Sequence, residues 1–274
     1  IPEEGCKWGT FDYSQQEPRL VTEYALRFKL ASVNEIADSY DHNPNADFHQ
    51  LVADMAKIPR SQAKVINLGL FYGMGKAKLE AELGVSKDKA KELFDIYHSK
   101  VPFVKQLTNK LMTAAQRNGK IKTILNRKCR FPKYEPVLKG NDWGKYIPPQ
   151  DHERMLELQA MGPHMKDEEG EFIIDKDGNK QKNYWHENDS RRAFTYKALN
   201  KLIQGSAADM TKKAMLELYK EGIVPHIQIH DELDISVKND LEAKKIKDIM
   251  ESAVNLQIPN KVDYESGPNW GSIK

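Results

Sequence analysis

Alternating apolar residues late in the chain surround a pair of adjacent acids. The alternating positions are Ile227, Ile229, Leu233 and Ile235. A period of two is typical of a β-strand with one buried face, so residues 224–237 are predicted to form a hairpin with Asp231 and Glu232 at its centre. Burying two carboxylates is costly unless a positive charge binds them. A divalent metal ion, which takes oxygen ligands, is the usual solution.

The pattern elsewhere is mainly helical. Residues 8–14 are predicted to form a strand that ends in a turn, and residues 119–127 a second hairpin. Apolar residues at helical spacing predict most of the remaining elements. The predicted helices cover residues 17–30, 47–56, 60–73, 76–83, 86–100, 102–117, 190–203, 206–220 and 240–254.

Residues 134–188 differ from the rest of the chain in being rich in Gly, Pro, Asp and Lys. The pair Asp177 and Gly178, set between short apolar and basic runs, predicts an exposed β-hairpin. We interpret the segment as a surface insertion. It is either a tolerated surface elaboration or a docking surface for a partner.

Composition narrows the function classes. The 274 residues are 39% hydrophobic and 30% charged with a net charge of +2, which fits a globular protein with a core and argues against a strongly basic coat-type nucleic-acid binder. Cys6 and Cys129 are far apart and lack metal-ligand spacing, so a reducing, cytoplasmic compartment is expected. No apolar run approaches the length needed to span a membrane.

A second acid suggests what Asp231 could do. Asp12 stands at the end of the predicted strand, just before a helix. If the two acids lie together, they could hold two metal ions that stabilise the attacking and leaving oxygens of a phosphoryl transfer. Alternatively, Asp12 is a helix cap and Asp231 a turn residue, and the local pattern leaves both open.

The helix predicted at 60–73 carries a stripe with a spacing of four residues. The stripe consists of Arg60, Lys64, Leu68 and Tyr72. Its two cations lie near the helix N-terminus, where the helix dipole is also positive and suits a polyphosphate. The aromatic residue, further along the helix, suits a base. Taken alone, the stripe would better fit an amphipathic helix with a solvated basic edge.

Together these motifs resemble the family A DNA polymerases, the bacterial DNA polymerase I type, in a phage-like version. Asp-Tyr-Ser-Gln-x-Glu-x-Arg at 12–19 resembles motif A, residues 60–73 resemble motif B, and His-Asp-Glu at 230–232 resembles motif C. Residues 200–209 resemble the family's palm helix junction, and Gly267–Trp270 resembles its C-terminus. Motif A, motif B, the palm helix junction and motif C follow one another along the chain. Each motif is weak alone, but the four in this order are specific.

The resemblance implies an α+β fold with an antiparallel palm sheet, helices and helical fingers. Residues 1–30 would be palm, residues 31–118 fingers, and residues 119–274 palm, with the insertion and the hairpin inside that last part. The implied activity is template-directed addition of dNTPs to the primer 3′ end in DNA replication, with two Mg²⁺ ions. The implied location is the cytoplasm, in a bacterial host if the chain is phage-encoded.

The resemblance also implies residue roles. The catalytic residues would be Asp12, Asp231, Glu232 and Lys64. The metal ligands would be Asp12, Asp231 and the main chain of Tyr13. The nucleotide would contact Arg60, Lys64, Leu68, Tyr72, Glu17 and Tyr13. The primer-template DNA would contact Asn200, Gln204, His230 and Arg127.

Some of these assignments carry finer expectations. Glu17 resembles the steric gate that excludes a ribose 2′-hydroxyl, and Lys64 could also protonate the pyrophosphate leaving group. Glu232 is the weaker ligand, because neighbouring strand residues face opposite sides. Leu68 departs from the family's usual Phe or Tyr, which puts sugar discrimination and incorporation rate in question. For Asn200 and Gln204 the alternative role is helix-end capping.

In the family, the thumb, the first part of the palm and any 3′–5′ exonuclease precede motif A. We therefore expect no thumb or proofreading site in this chain. We also expect a second polypeptide to supply the thumb and the rest of the palm, and this partner could carry an exonuclease. Two other functions compete: a non-catalytic DNA-binding or assembly subunit derived from a polymerase, and a metal-dependent nuclease. Retention of both acids argues against the first, and the stripe on helix 60–73 argues against the second.

Overall fold

The computed structural model describes residues 1–71 and 74–273. They form two compact units: the first contains Ile1–Lys110, Lys122–Arg127 and Leu199–Lys274, and the second Leu111–Ile121 and Lys128–Ala198. The helices are α1 (Gln16–Arg27), α2 (Asn34–His42), α3 (Phe48–Ala56), α4 (Arg60–Phe71), α5 (Lys76–Leu83), α6 (Lys87–Lys100), α7 (Pro102–Asn118), α8 (His152–Ala160), α9 (Ala198–Lys220) and α10 (Asp240–Ser252). The strands are β1 (Lys7–Tyr13), β2 (Lys120–Lys122), β3 (Lys128–Arg130), β4 (Tyr134–Pro136), β5 (Ser190–Arg192), β6 (Ile227–Ile229), β7 (Glu232–Val237) and β8 (Val262–Gly267). No helix in these described ranges is long and apolar enough to cross a membrane.

The first unit contains a four-stranded antiparallel sheet in the order β6-β7-β1-β8. Phe11 and Leu233 are fully buried in it, and the Phe11 ring stacks on Tyr264 with 4.8 Å between ring centroids. Gly9 permits this close packing, since a Cβ atom there would come within 2.8 Å of the Val237 side chain. The strand and hairpin predicted at 8–14 and 224–237 are therefore confirmed.

β8 and α2 are elements that the sequence pattern did not predict. β8 has few apolar side chains and much of it is exposed, so its strand character comes from main-chain pairing with β1. α2 buries only Ile36, Ala37 and Tyr40, which is a narrow apolar stripe. Both elements depend on tertiary contacts more than on local pattern.

A buried arginine fixes the start of α1. Arg19 is 1% exposed. Its guanidinium donates to the main-chain oxygens of Ser14, Pro259 and Pro44 at 2.8, 2.6 and 2.6 Å. It also lies over the Tyr40 ring, 4.4 Å from the centroid. One planar cation therefore holds the turn after β1 against two other segments of the first unit.

The prediction of two helices at 190–203 and 206–220 is wrong. Residues 190–192 form β5, and α9 runs without interruption from Ala198 through Gly205 to Lys220. Glycine disfavours a helix interior, but packing overrides that preference here. Ser206 is fully buried, and its hydroxyl bonds the Tyr24 hydroxyl at 2.7 Å and accepts from the main-chain N–H of Ile124 at 3.1 Å.

The second unit contains most of the predicted insertion and has its own small core. β4 pairs with β5 in antiparallel fashion, and α8 begins after Asp151, whose side chain accepts from the Arg154 main-chain N–H. Met155, Leu158 and Trp185 are buried together. This segment is thus a folded element, with a helix that the sequence pattern did not predict.

The exposed hairpin predicted around Asp177 and Gly178 is confirmed, with short pairing: the Asp175 N–H donates to the Asn179 carbonyl and the Gln181 N–H to the Ile173 carbonyl, both at 2.8 Å. The Asp175 carboxylate accepts from the main-chain N–H groups of Asp177 and Asn179. Ile174 and Lys180 then form an isolated bridge. The flanking residues are largely exposed, so little apolar burial is available to extend the pairing.

We expect Arg19→Lys to lower the free energy of unfolding by about 3 kcal/mol, because a lysine cannot reach three divergent carbonyls and two charge-assisted hydrogen bonds are lost. Urea denaturation measures this difference. The control is Arg27→Lys, since Arg27 is 40% exposed and pairs with Glu23 along α1; it should change stability by less than about 0.5 kcal/mol. Equal stability of the two variants would contradict the role of Arg19.

Candidate active site

The sheet brings the predicted acids together. Asp12, near the end of β1, pairs in register with Glu232 on β7 and with Asp263 on β8. The main-chain N–H of Tyr13 donates to the Asp231 carbonyl at 3.5 Å. Asp12 therefore lies in a row of three carboxylates, beside the turn that carries Asp231. Like charges directly opposite each other on adjacent strands are destabilising. Lys261 offsets the charge of Asp263, and a bound cation would relieve the repulsion between Asp12 and Glu232.

Tyr13 presents only its main chain to this region. Its side chain is buried, and its hydroxyl donates to the Met250 carbonyl at 2.7 Å. Burial, reinforced by Glu251, raises the pKa of the Tyr13 hydroxyl above its usual range, so the phenol stays protonated. This geometry agrees with a main-chain role for Tyr13 and leaves its ring a structural part of the core.

The turn between β6 and β7 consists of His230 and Asp231, because Ile229 pairs directly with Glu232. His230 has a φ of 54°, a left-handed conformation that is uncommon for residues other than glycine. Such strain is commonly retained at functional sites. Burial, together with neighbouring Glu232, raises the pKa of the Asp231 carboxyl, although a main-chain hydrogen bond and His230 oppose that rise.

α4 places part of its predicted stripe at the same site. Ala63, Ile66 and Leu70 on one face are buried, which leaves the face of Lys64 and Leu68 toward the cleft described below. Tyr72, the last member of the stripe, lies outside the described residues. The stripe is thus observed at Arg60, Lys64 and Leu68, and the prediction for the aromatic position stays a prediction.

Arg60 has an ion-pair partner within the chain. Its Nε and Nη2 atoms donate to Asp47 Oδ2 at 2.7 and 2.5 Å. Asp47 is also the N-cap of α3, because its other carboxylate oxygen accepts from the main-chain N–H groups of His49 and Gln50. Partial burial would raise the pKa of the Asp47 carboxyl, but Arg60 and these N–H groups together hold it below its usual range.

His49 is a site residue that sequence reasoning missed. It lines the cleft with Lys64, and its Nδ1 atom is 2.9 Å from the Asn67 side-chain nitrogen. Burial lowers the pKa of His49, with opposition from Asp47 and reinforcement from Arg60 and Lys64. The available signal was its position two residues after the cap of a short helix, which alone does not distinguish a site residue from a core one.

Gln15 was also missed, and it connects motif A to α3. Its side-chain oxygen accepts from the Phe48 main-chain N–H at 2.8 Å, and its side-chain nitrogen donates to the Ala46 carbonyl at 3.2 Å. Gln15 itself has a φ of 51°. This left-handed residue turns the chain from β1 into α1. Its side chain holds motif A in a fixed position relative to the start of α3.

α9 supplies the remaining wall. Gln204, Ala207 and Ala208 line the cleft. Arg127, which the resemblance assigns to DNA, instead bonds Asp209 Oδ1 at 2.7 Å and the Gly205 carbonyl at 2.6 Å. Its side chain is still half exposed. The two hydrogen bonds therefore hold the guanidinium in place without burying it.

All these elements enclose a cleft of about 720 Å³ in the first unit. Its lining contains most of the predicted site residues: Asp12, Tyr13, Glu17, Lys64, Leu68, Gln204, His230 and Asp231. It also contains Gln15, Gln16, Pro18, His49, Ala207 and Ala208. Of the predicted residues that the structure describes, four lie outside this lining: Arg60, Glu232, Asn200 and Arg127.

The donor set fits a hard divalent cation in its chemistry. Asp12 and Asp231 offer carboxylate oxygens, the ligand type that Mg²⁺ prefers, and both line the same cleft. Within the described residues, no group of three or more His, Cys, Asp or Glu side chains is arranged around one metal position. A metal here would therefore take two side chains together with main-chain oxygens, water or substrate.

A sheet with acids at adjacent strand ends, faced by a helix with a basic stripe, defines the polymerase-domain fold. The chain belongs to DNA polymerase family A, whose family model matches residues 1–272. The resemblance inferred from the four motifs and the predicted α+β fold are both confirmed.

Similar proteins come from phages and bacteria. A DNA-directed DNA polymerase of Pseudomonas phage M6 is 33% identical over 99% of this chain, and DNA polymerase DpoZ of Acinetobacter phage SH-Ab 15497 is 24% identical over 98%. DNA polymerase I of Geobacillus stearothermophilus is 27% identical over 96%. The chain spans 39%, 39% and 26% of these relatives, respectively.

A solved structure shares the fold. The POL domain of Pol1 from M. smegmatis, in complex with DNA primer-template and dNTP, matches all of this chain and 41% of its own with a TM-score of 0.68. The sequence identity is 22%, so this likeness concerns the fold alone.

Two variants of Asp47 separate its cap from its ion pair. Asp47→Ala should lower the free energy of unfolding by about 1 kcal/mol, since it removes the α3 cap. Asp47→Asn retains a capping oxygen and should cost only about 0.3 kcal/mol, because Arg60 is half exposed and such pairs contribute little.

The pH dependence supplies the control. Because the pKa of Asp47 is lowered in the folded protein, the charge contributes stability above its unfolded pKa of about 4 and loses it as the pH falls through the lowered value. The difference between wild type and Asp47→Asn should therefore shrink below about pH 4. A constant difference from pH 7 to pH 3, in urea titrations, would contradict the charge pair.

Proposed function

We propose that this chain is the catalytic part of a template-directed DNA polymerase that adds deoxynucleotides to a primer 3′ end. The main support is that two acids separated by most of the chain, Asp12 and Asp231, line one cleft with Lys64 on α4. Phosphoryl transfer requires little from a protein beyond positioning and charge stabilisation, and the lining of this cleft contains both signs of charge.

Asp12, Asp231 and the main chain of Tyr13 would hold Mg²⁺ in this function. When bound, the metal activates the primer 3′-hydroxyl and offsets the negative charge that develops on the transferred phosphoryl group. The protein's contribution is to hold the two carboxylates near each other, Asp12 on β1 and Asp231 in the turn between β6 and β7. The role of Glu232 is indirect, because it starts β7 opposite Asp12 and raises the pKa of Asp231 by repulsion.

The opposite wall would bind the nucleotide. Lys64 would hold the triphosphate and can give a proton from its ammonium group to the pyrophosphate oxygen as it leaves. His49 lines the same wall and can donate a hydrogen bond to a phosphate oxygen, because neutral imidazole has one N–H. Leu68 would lie against the sugar, and Arg60 would join once released from Asp47. Tyr72 is proposed to stack near the templating base.

The remaining residues would position DNA. Gln204 on α9 and His230 in the strained turn line the cleft near the acids, where a primer terminus must lie. Asn200 stands one helical turn before Gln204 and is proposed to contact the same duplex. Arg127, whose side chain is half exposed, would add a phosphate contact. DNA primer-template and dNTP are therefore the proposed ligands, as in the solved M. smegmatis domain. A second polypeptide with the thumb stays a prediction.

Replacement of Asp231 tests the two-metal assignment. Asp231→Asn should reduce primer extension by at least roughly 10³-fold, equivalent to about 4 kcal/mol of transition-state stabilisation, with little change in primer-template affinity. Its thermal stability should be unchanged or higher, because an unfavourable buried charge is removed. Extension assays, fluorescence anisotropy and thermal melts measure the three quantities.

The matched control for that experiment is Asp248→Asn, since Asp248 is an exposed acid on α10. It should extend primers like the wild type. Extension at wild-type rate by Asp231→Asn would remove Asp231 from the reaction.

Glu17 provides a test of sugar selection. Glu17→Ala should raise the incorporation of ribonucleotides relative to deoxynucleotides by roughly 10- to 100-fold, because one steric contact is worth about 1–3 kcal/mol of discrimination. Single-nucleotide incorporation with each substrate measures the ratio. Glu4→Ala, at an exposed acid before β1, is the control. An unchanged ratio would show that Glu17 is not the gate.

A further inference from the structure

The second unit carries another cleft, of about 520 Å³, with aromatic side chains at its surface. Trp143, Tyr146 and Tyr196 all line it and are 80%, 79% and 50% exposed. None of the roles assigned above uses this cleft. Three large, exposed aromatic residues at one site differ from the scattered apolar residues of an ordinary protein surface.

The exposure of these rings is not explained by lack of a core. Trp185 in the same unit is 3% exposed and packs with Met155 and Leu158. Ile147, next to Tyr146 in sequence, packs against that same core. The chain therefore turns one side of the segment inward while Trp143 and Tyr146 stay in solvent, which indicates an external partner for the two rings.

Phe194, which also lines this cleft, has a strained main chain. Its φ is 62°, a rare conformation for a residue with a bulky side chain. The Lys197 ammonium then lies 5.2 Å from the Phe194 ring centroid and 5.7 Å from that of Tyr196. This turn places two rings and a cation together, and strain of this kind is typical of functional segments.

Charge in the cleft is positive on balance. Its lining contains Lys145 and Arg191 and one acid, Glu135. Lys197 adds a cation beside Tyr196. Lys145 pairs with Asp142 and Arg191 with Glu135, but ion pairs as exposed as these contribute little to stability. An anionic ligand would therefore gain favourable charge at small cost.

We propose that this cleft binds single-stranded DNA, with bases stacked on Trp143, Tyr146 and Tyr196 and phosphates near Lys145, Arg191 and Lys197. Interleaved aromatic and basic side chains are the means by which proteins hold single strands without reading their sequence. A proline-rich peptide also uses aromatic grooves, but it would not require the surplus of positive charge. The choice of DNA as the ligand rests on the proposed function. The cleft itself, and its fit to an anionic ligand with flat rings, do not depend on that function.

The test uses the full chain and a fluorescein-labelled oligo(dT) of about 12 nucleotides, a length within the range that one aromatic groove covers. In anisotropy titrations, the double variant Trp143→Ala/Tyr146→Ala should bind roughly 10- to 100-fold more weakly, from the loss of stacking on two bases. Tyr219→Ala, which removes an exposed aromatic residue of the first unit (68% exposed), should bind like the wild type. Both substituted rings are exposed, and circular dichroism verifies that the fold is retained.

A local readout distinguishes this cleft from the active site. Oligo(dT) should quench Trp143 fluorescence, and Trp143→Phe should lose most of that quenching while retaining affinity, since phenylalanine still stacks. Asp231→Asn should bind oligo(dT) and show the same fluorescence quenching as the wild type. Loss of polymerase activity and loss of binding at this cleft can therefore be told apart. Unchanged affinity in the double variant would overturn the proposal, as would quenching by a proline-rich peptide but not by oligo(dT).

Discussion

The fixed register of β1 between β7 and β8 is the constraint on which the candidate site depends. A shift of one residue would turn Asp12 to the opposite face of the sheet and separate it from the Asp231 turn. Gly9 allows the tight packing that holds this register, and Arg19 anchors the chain immediately after the strand. The geometry of the cleft therefore depends on residues that do not line it.

Asp12 and Asp231 lie in segments whose local pattern can be read from the sequence. Motifs with short local spacing, such as the hairpin around Asp231 and the stripe from Arg60 to Leu68, are visible because strand and helix periodicities repeat within a few residues. Contacts between distant segments leave no such pattern. His49 and Gln15 became site residues only through packing of α3 against its neighbours, and α9 continues through Gly205 because tertiary contacts outweigh propensity.

The second unit shows the limit of composition as a guide. Its many Gly, Pro, Asp and Lys residues suggest an irregular surface segment, yet a few apolar residues suffice for a helix and a core around Trp185. Composition counts the residues on all faces of a segment together, whereas the fold places apolar residues inside and polar residues outside. Within this unit Trp185 is buried and Trp143 is exposed. Because an apolar core is available, the exposed aromatic residues point to a binding surface.

The pairing of Arg60 with Asp47 sets where the guanidinium lies before any ligand is present. Because Arg60 is half exposed, the pair contributes only about 0.3 kcal/mol. An incoming anion could therefore take the place of the carboxylate at little energetic cost. Asp47 thus keeps a long, flexible side chain in one orientation without withholding its charge from a ligand.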